Sequence, residues 1–502
     1  MIGRRSVLIM TSRAVSAGLG FIGLMFIFRY LGADTYGTIS WSLALVATFN
    51  CIADLGFNAA HLKRLSEGKD PSDCVSTYLI VKLLLTCTMV VIVLSSLFVW
   101  TELLGFKLTD SSMNIIFMFI LYHVFYDVAH LATYTFDAKL ESAKTQITLL
   151  MDPLIRVPLV IFISLNRLDD LTLSYAYVLG GLAMAITGLF ILSQKHLRIR
   201  KPVLFKSYMV FAIPIATISI MSALMGNIDK VTIGFFWSST DVGYYTGASR
   251  ILELLLMIGL AVSTLTFPAF SKMHSEGNLD EVRDKTRKAE RYISMIAFPA
   301  VTLIWVFGPE VCMIILGGEE FKIAGDILRL LSVSTLIILL NEIYFSQINA
   351  VNRPDLSAKL WAVSLSVNIA FLLLLVPPSL IGFELPGLAG EGAALARVFS
   401  FATLLVTTRF IVWKLTKTTM NPRLLLMIPA AAITGLALVG LSMIWPMERW
   451  WDLFGYMAVT LAIFGGLLAL FGELKREDID YFLNVVNPKE MKDYIVSEMK
   501  RK

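Results

Sequence analysis

A chain of 502 residues with 57% hydrophobic and only 16% charged side chains does not fit a soluble globular protein, in which about a quarter of residues are charged. Its 43 Lys and Arg against 38 Asp and Glu leave a formal net charge of +5, and no nucleic-acid partner is expected. Four cysteines, Cys51, Cys74, Cys87 and Cys312, show neither metal-ligand spacing nor an outer-loop disulfide framework, and no glycine-lysine phosphate loop occurs. A metal centre, a nucleotide cofactor and ATP hydrolysis are therefore not expected.

Apolar runs of about 20 residues, the length that crosses about 30 Å of hydrocarbon, recur from end to end. The first follows Arg4 and Arg5 and continues to Phe28 with no small-residue cleavage site, so it reads as a retained span and not a signal peptide. Fourteen spans are predicted: 7–29, 37–60, 76–99, 113–135, 145–166, 172–193, 207–235, 242–267, 290–308, 327–350, 357–378, 389–411, 424–445 and 452–471. The basic stretch from Glu281 to Arg291 reads as a surface helix, and the segment from Glu473 as two amphipathic helices divided at Asn487-Pro488. Asp478-Ile-Asp480 reads as a solvated face of that tail.

Lys and Arg set the orientation. With the N-terminus in the cytoplasm, the outer loops hold only Lys107, Arg167, Lys322 and Arg449, while the great majority fall in inner loops and the tail. Both termini are thus expected to be cytoplasmic, in a cell (plasma or inner) membrane. Gly32-Ala-Asp34-Thr-Tyr36-Gly37 and Ser239-Thr-Asp241-Val-Gly243-Tyr244 form a weak internal repeat six spans apart, as two lobes related by an axis along the membrane normal would give. The expected division is a six-helix lobe at 1–200, a second at 201–415, accessory helices 13 and 14 at 416–472, and the tail at 473–502.

Ionisable groups inside spans mark function, since each costs about 2.5–3.5 kcal/mol at the bilayer centre. They gather on spans 1, 2, 4, 5, 7, 8, 10 and 12, and spans 13 and 14 are clean. A phosphate-bearing substrate needs cations, and arginine suits best because its planar fork binds phosphate oxygens in pairs. Arg13 leads, with no acid at i+3 or i+4; snorkelling is its bland alternative. Arg250 has Glu253 three residues on, Arg156 has Asp152 four residues back, and both pairs are open to a purely structural reading. Lys230 adjoins Asp229, and the two face different partners. Arg397 reads equally as a head-group contact or an interhelical partner. Lys82 reads as a snorkelling anchor. For ion coupling by H+ or Na+ the candidates are Asp54, Asp127 and Asp229. Asp54 has a helix cap, or a pair with Arg13, as its alternatives. His123 and His130 flank Asp127 as a relay or as polar lining. Pro153, Pro158, Pro214, Pro268 and Pro299 mark bends.

Leu31-Gly-Ala-Asp-Thr-Tyr-Gly37, Asp54-Leu-Gly-Phe57, Asn227-Ile-Asp-Lys-Val-Thr-Ile-Gly234, Val242-Gly-Tyr-Tyr245, Ala248-Ser-Arg250, Phe267-Pro268, Leu316-Gly-Gly318 with Phe321, and Gly390-Glu-Gly-Ala-Ala-Leu-Ala396 follow one another in an order that resembles the oligosaccharide flippases (Wzx type) of polysaccharide biosynthesis. These belong to the multidrug/oligosaccharidyl-lipid/polysaccharide exporter superfamily. The resemblance spans roughly residues 1–415. It implies an all-α membrane fold of two six-helix bundles, with helices 13 and 14 added as in the lipid-flipping members. It also implies a polyprenyl-phosphate- or diphosphate-linked oligosaccharide moved to the outer leaflet by alternating access, and an arginine in span 1 within a Ser-Arg step like Ser12-Arg13. Expected partners are the lipid-linked oligosaccharide, membrane lipids and glycan-assembly enzymes. A small-molecule or drug exporter of the same superfamily is the alternative. A membrane glycosyltransferase, ligase or polymerase ranks lower, because no large outer loop is predicted.

Overall fold

The computed structural model describes residues 2–103, 105, 108–194, 199–351, 353–474 and 478; the two amphipathic tail helices expected from Glu473 onward lie outside them but for Glu473, Leu474 and Asp478. A chain this apolar has few ways to satisfy its peptide groups in hydrocarbon other than helix, and helix is what forms. The helices are α1 (Ile2–Asp54), α2 (Phe57–Ser66), α3 (Pro71–Phe98), α4 (Asp110–Ala138), α5 (Ser142–Leu165), α6 (Asp170–Ser193) and α7 (Phe205–Phe236). They continue with α8 (Ser239–Ser275), α9 (Leu279–Cys312), α10 (Ala324–Ala350), α11 (Pro354–Leu375), α12 (Ala389–Thr416), α13 (Met427–Ser442) and α14 (Trp450–Leu470). Among the described residues the only sheet is a two-residue hairpin, Ser379–Leu380 against Phe383–Glu384, turned through Ile381 and Gly382 at positive φ.

Among the described residues eleven helices are long and apolar enough to cross a membrane, and up to twelve when α7, bent by 55° between Ile213 and Ile215, is counted as one span. The bend falls at Pro214, where a backbone donor is missing. This is a multi-pass membrane protein. Its outward side chains agree: Leu84, Val91, Phe162, Leu436 and Leu470 stand exposed, as a lipid-facing surface requires. The helix α1 is continuous by hydrogen bonding, yet Gly32 inside it sits at φ 84°, ψ −179°, outside any helical conformation. A straight helix of 53 residues would run to about 80 Å, so the break divides α1 where the spans 7–29 and 37–60 were predicted to separate. The basic stretch predicted as a separate surface helix is instead the start of α9. Asn278 caps it by accepting from the Glu281 amide at 3.3 Å, Asp280 and Glu281 fill the first turn, and the next proline is Pro299.

The chain divides into two compact units, the first reaching Val231 and the second beginning at Thr232. In the first, α6 packs on α4 and α5, and α1 on α5, α3 and α4. Its core joins Phe57, Ala60, Tyr78, Val81, Leu131, Phe136, Leu192 and Tyr208. In the second, α10 is the centre, packed on α8, α9 and α12, while α11 lies on α12. Both α13 and α14 seat on α9, through Met295, Leu424, Met427, Ala430, Phe464 and Leu468.

The second copy of the predicted sequence repeat is a helix start. The Ser238 hydroxyl accepts from the Asp241 amide at 3.3 Å, and the Asp241 carboxylate accepts from the Ser238 amide at 3.1 Å, a closed capping box for α8. Between α1 and α2, Leu55 and Gly56 both take positive φ, and a Cβ on Gly56 would meet the Ala212 carbonyl oxygen at 2.5 Å. Gly68, also at positive φ, has nothing within 4 Å of such a Cβ. Gly68→Ala should therefore cost only the left-handed backbone penalty, about 1–2 kcal/mol. Gly56→Ala adds overpacking against α7, for about 2–5 kcal/mol in all. Thermal melting of the two variants in detergent measures the difference.

Candidate substrate and ion sites

In the first unit a buried ion pair joins α3 to α4. Lys82 Nζ lies 2.7 Å from Asp127 Oδ1, with 5% and 2% of the two side chains exposed. Lys82 also donates to the Ala53 carbonyl at 2.9 Å, and Thr86 Oγ1 donates to Asp127 Oδ2 at 3.2 Å. Ala53 has a carbonyl to spare because α1 stops at Asp54, so the next turn supplies no amide. Lys82 was expected to snorkel to the membrane surface. It does not, because an acid on the neighbouring helix neutralises it where it stands.

His123 and His130 flank this pair on α4. Both ring nitrogens of His123 and Nδ1 of His130 are buried without a hydrogen-bond partner among the described residues. Their rings join an aromatic column. His130 lies between Tyr126 at 4.2 Å and Tyr134 at 5.2 Å, and Tyr122 and Tyr126 lie above, 6.1 Å apart. Asp54 caps: one oxygen accepts from the Asn58 amide at 3.1 Å and the other from Ser219 Oγ at 3.0 Å, so it closes the α1–α2 break and ties α7 to it. Asp229 on α7 is buried, and Lys230 beside it is half-buried.

The predicted cations differ in how firmly they are held. Arg156 is locked. Its guanidinium meets Asp152 at 2.8, 3.2 and 3.3 Å and lies 4.8 Å over the ring of Tyr177. Room for the pair comes from Gly180 on α6, where a Cβ would stand 2.5 Å from Asp152 Oδ1. Arg250 is held loosely by Glu253 at 2.7 and 2.8 Å, with 37% and 52% of the side chains exposed. A pair so open is worth about 0–1 kcal/mol, so a phosphate can replace the carboxylate at little cost. Arg397 is half-buried, 6.0 Å from the ring of Phe401. Arg13 is exposed on α1 and has no acid partner among the described residues.

Sequence reasoning missed two charge clusters in the second unit. Glu290, fully buried, accepts from Tyr344 at 2.8 Å and from Arg409, whose guanidinium lies 5.4 Å from the Tyr344 ring. The signal was the stripe Val282, Thr286, Glu290, Ile293, Ala297, which places an acid on the buried face of α9. The next residue, Arg291, turns the other way. It meets Glu473 at 3.1 Å and Asp478 at 3.0 Å, while Arg423 reaches Glu473 at 3.2 Å. Asp478 was expected in a solvated face. It is buried because Arg291 and the Tyr292 hydroxyl, 3.1 Å away, supply its hydrogen bonds.

With this geometry in view, the comparison with known proteins is decisive for the family. Residues 2–274, more than half of the chain, match the family described as polysaccharide biosynthesis protein.

The chain belongs to the polysaccharide biosynthesis protein family.

A second match, to the MatE family, covers residues 214–374. Among curated proteins, the "Probable low-salt glycan biosynthesis flippase Agl15" of Haloferax volcanii is 25% identical over 405 residues, 80% of this chain and 81% of that protein. The "Probable flippase AglR" of the same organism is 25% identical over 158 residues, 30% of this chain and 32% of that protein. Among solved structures, the inward closed "Lipid II flippase MurJ" superposes with a TM-score of 0.76 at 12% identity, covering 93% of this chain and 98% of that one. An inward-facing MATE family transporter gives 0.64 at 14% identity, over 80% and 96%. These superpositions establish the fold.

The buried pair generates a sharp expectation. Lys82→Met leaves Asp127 desolvated and alone, a loss of about 3–5 kcal/mol. The double variant K82M/D127L removes both charges and should recover most of it. Denaturation of parent, single and double variants in detergent closes the cycle, and equal losses in the single and double variants would refute the coupling.

Proposed function

We propose that this membrane protein is a flippase that carries a polyprenyl-phosphate- or diphosphate-linked oligosaccharide from the cytoplasmic to the outer leaflet by alternating access. The reading is that of a transporter and not an enzyme. It rests on family membership, on similarity to one probable glycan biosynthesis flippase over four-fifths of the chain, and on one observation above the others: Arg13, exposed on α1 with no acid partner among the described residues. A cation kept in a membrane helix without a counter-charge is expensive, and an anionic substrate justifies it. Sugar hydroxyls need a hydrogen-bonding route because each costs several kcal/mol, on the order of 4–8, in hydrocarbon; the lipid tail needs none.

In this reading Arg13 in the first unit and Arg250 in the second are each candidate phosphate ligands, Arg250 by exchanging Glu253 for it. Lys230 and Arg397 contribute further cations. Arg156, already locked to Asp152, positions α5 against α6 more than it binds. Coupling falls to Asp127 or Asp229, with H+ or Na+ as the ion, and Asp54 serves the helix break. Counting α1 as two spans divided at Gly32, and α7 and α8 as one each, supports fourteen crossings; an even number puts both termini on one side, and the bias of Lys and Arg toward the inner loops favours the cytoplasm for it.

The test is a leaflet assay in vesicles with a labelled lipid-linked sugar. Arg13→Ala should slow translocation about tenfold or more, the loss of one charge-assisted contact, and Arg250→Ala by a similar factor. Normal rates in both variants would remove the phosphate site. Imposed proton and sodium gradients in the same vesicles identify the coupling ion. The match to the MatE family favours one other reading, export of a small amphipathic molecule. Uptake of such a solute by vesicles that leave the lipid-linked sugar unmoved would establish that reading instead.

A further inference from the structure

On α9, Arg283, Arg287 and Arg291 are spaced i, i+4, i+8 and so lie on one face. Each reaches the segment that leads from α12 to α13, or the segment after α14. Arg283 donates to the Thr416 carbonyl at 2.6 Å, Arg287 to the Thr419 hydroxyl, and Arg291 to Glu473 and Asp478. Between the ladder and this segment is a cavity of about 520 Å³ lined by Arg287, Arg291, Thr419, Asn421, Pro422 and Arg423.

The charges there do not balance. Two carboxylates, Glu473 and Asp478, serve three guanidiniums, and both are buried on the Arg291 side. Arg423 shares Glu473 with Arg291 while 59% of its own side chain stays exposed. Arg287 has a hydroxyl partner but no ion pair among the described residues. Among the described residues the cavity thus brings together more guanidinium than carboxylate, with a threonine hydroxyl and an asparagine amide, the donor set that a tetrahedral phosphate accepts. The apolar residues beside it in the chain locate it. Met420, Leu425 and Ile428 are exposed, and Lys417 Nζ stands 4.9 Å from the ring of exposed Trp413, an aromatic and basic belt of the kind found where headgroups meet hydrocarbon.

We propose that this cavity binds the phosphate of an anionic phospholipid headgroup, with Arg287 and Arg423 as its ligands. The site lies wholly in the second unit, apart from the cations assigned to the transported substrate, and it stands whether or not the flippase reading does. A bound lipid there bridges α9 to the start of α13 and adds to the seating of the accessory pair.

The full chain, purified in detergent, is titrated with phosphatidylglycerol, with phosphatidylcholine and with inorganic phosphate. Native mass spectrometry counts bound lipid and thermal melting reads protection. Phosphatidylglycerol should bind and protect the parent, phosphatidylcholine should do neither, and R287A/R423A should weaken phosphatidylglycerol binding by about tenfold or more. R353A, which removes the exposed Arg353–Asp355 pair, should bind as the parent does. If the double variant cannot be isolated, R287Q alone reads the same loss, since among the described residues Arg287 is held only by the hydroxyl and carbonyl of Thr419. Unchanged affinity in these variants, or phosphatidylcholine binding as well as phosphatidylglycerol, overturns the site. Protection by inorganic phosphate with none from phosphatidylglycerol overturns the lipid as its source.

Discussion

Charge buried away from water has to be answered by opposite charge or by hydrogen bonds, and this constraint organises both units. Lys82 meets Asp127, Arg156 meets Asp152, Arg409 meets Glu290, and Arg291 meets Glu473 and Asp478. In each case at least one partner is almost fully desolvated. Such pairs add little net stability over apolar packing, but once present neither partner can be lost cheaply. They therefore fix which helix faces which: α3 to α4, α9 to α12, and α9 to the segment after α14. Arg13 and the Arg250–Glu253 pair stand outside this constraint, because their side chains are exposed and not desolvated.

The helices and their limits were legible in the sequence because runs of apolar residues bounded by Lys, Arg, Gly and Pro leave the backbone little choice. Spans on either side of Gly32 follow from one residue that alone tolerates φ 84°. Pairs within one helix were legible too: Arg156 with Asp152 and Arg250 with Glu253 need only the 3.6-residue period. Pairs between helices were not. Lys82 and Asp127 are 45 residues apart by their numbers, and Arg291 and Glu473 far more, so neither local period nor hydropathy links them. Lys82 looked like an anchor, and Asp478 looked solvated, because sequence reports the charge and not the partner that crosses to meet it.

Small residues decide how closely the helices approach. Gly180 leaves space for a carboxylate that is itself bound to arginine, and Gly181 beside it would place a Cβ 2.9 Å from the Tyr122 ring. Gly308 and Gly325 do the same between α9 and α10, where the Gly325 carbonyl would lie 2.7 Å from a Cβ on Gly308. Proline and glycine thus divide the work. Proline at 214 bends an element, while glycine at these four positions lets neighbouring helices come closer than a Cβ would allow.

The staple at Arg291 has a consequence for how the chain is made. Its carboxylate Glu473 lies 182 residues later in the sequence. At about 5–20 residues per second, the ribosome adds that partner some 10–40 s after the arginine has emerged. For that interval α9 has no answer from Glu473 or Asp478 for the guanidinium. A chain cut short before Glu473 never acquires one. Completion of the last helix pair is therefore registered at α9, whose Arg291 gains these carboxylate partners only once the chain has grown past α14.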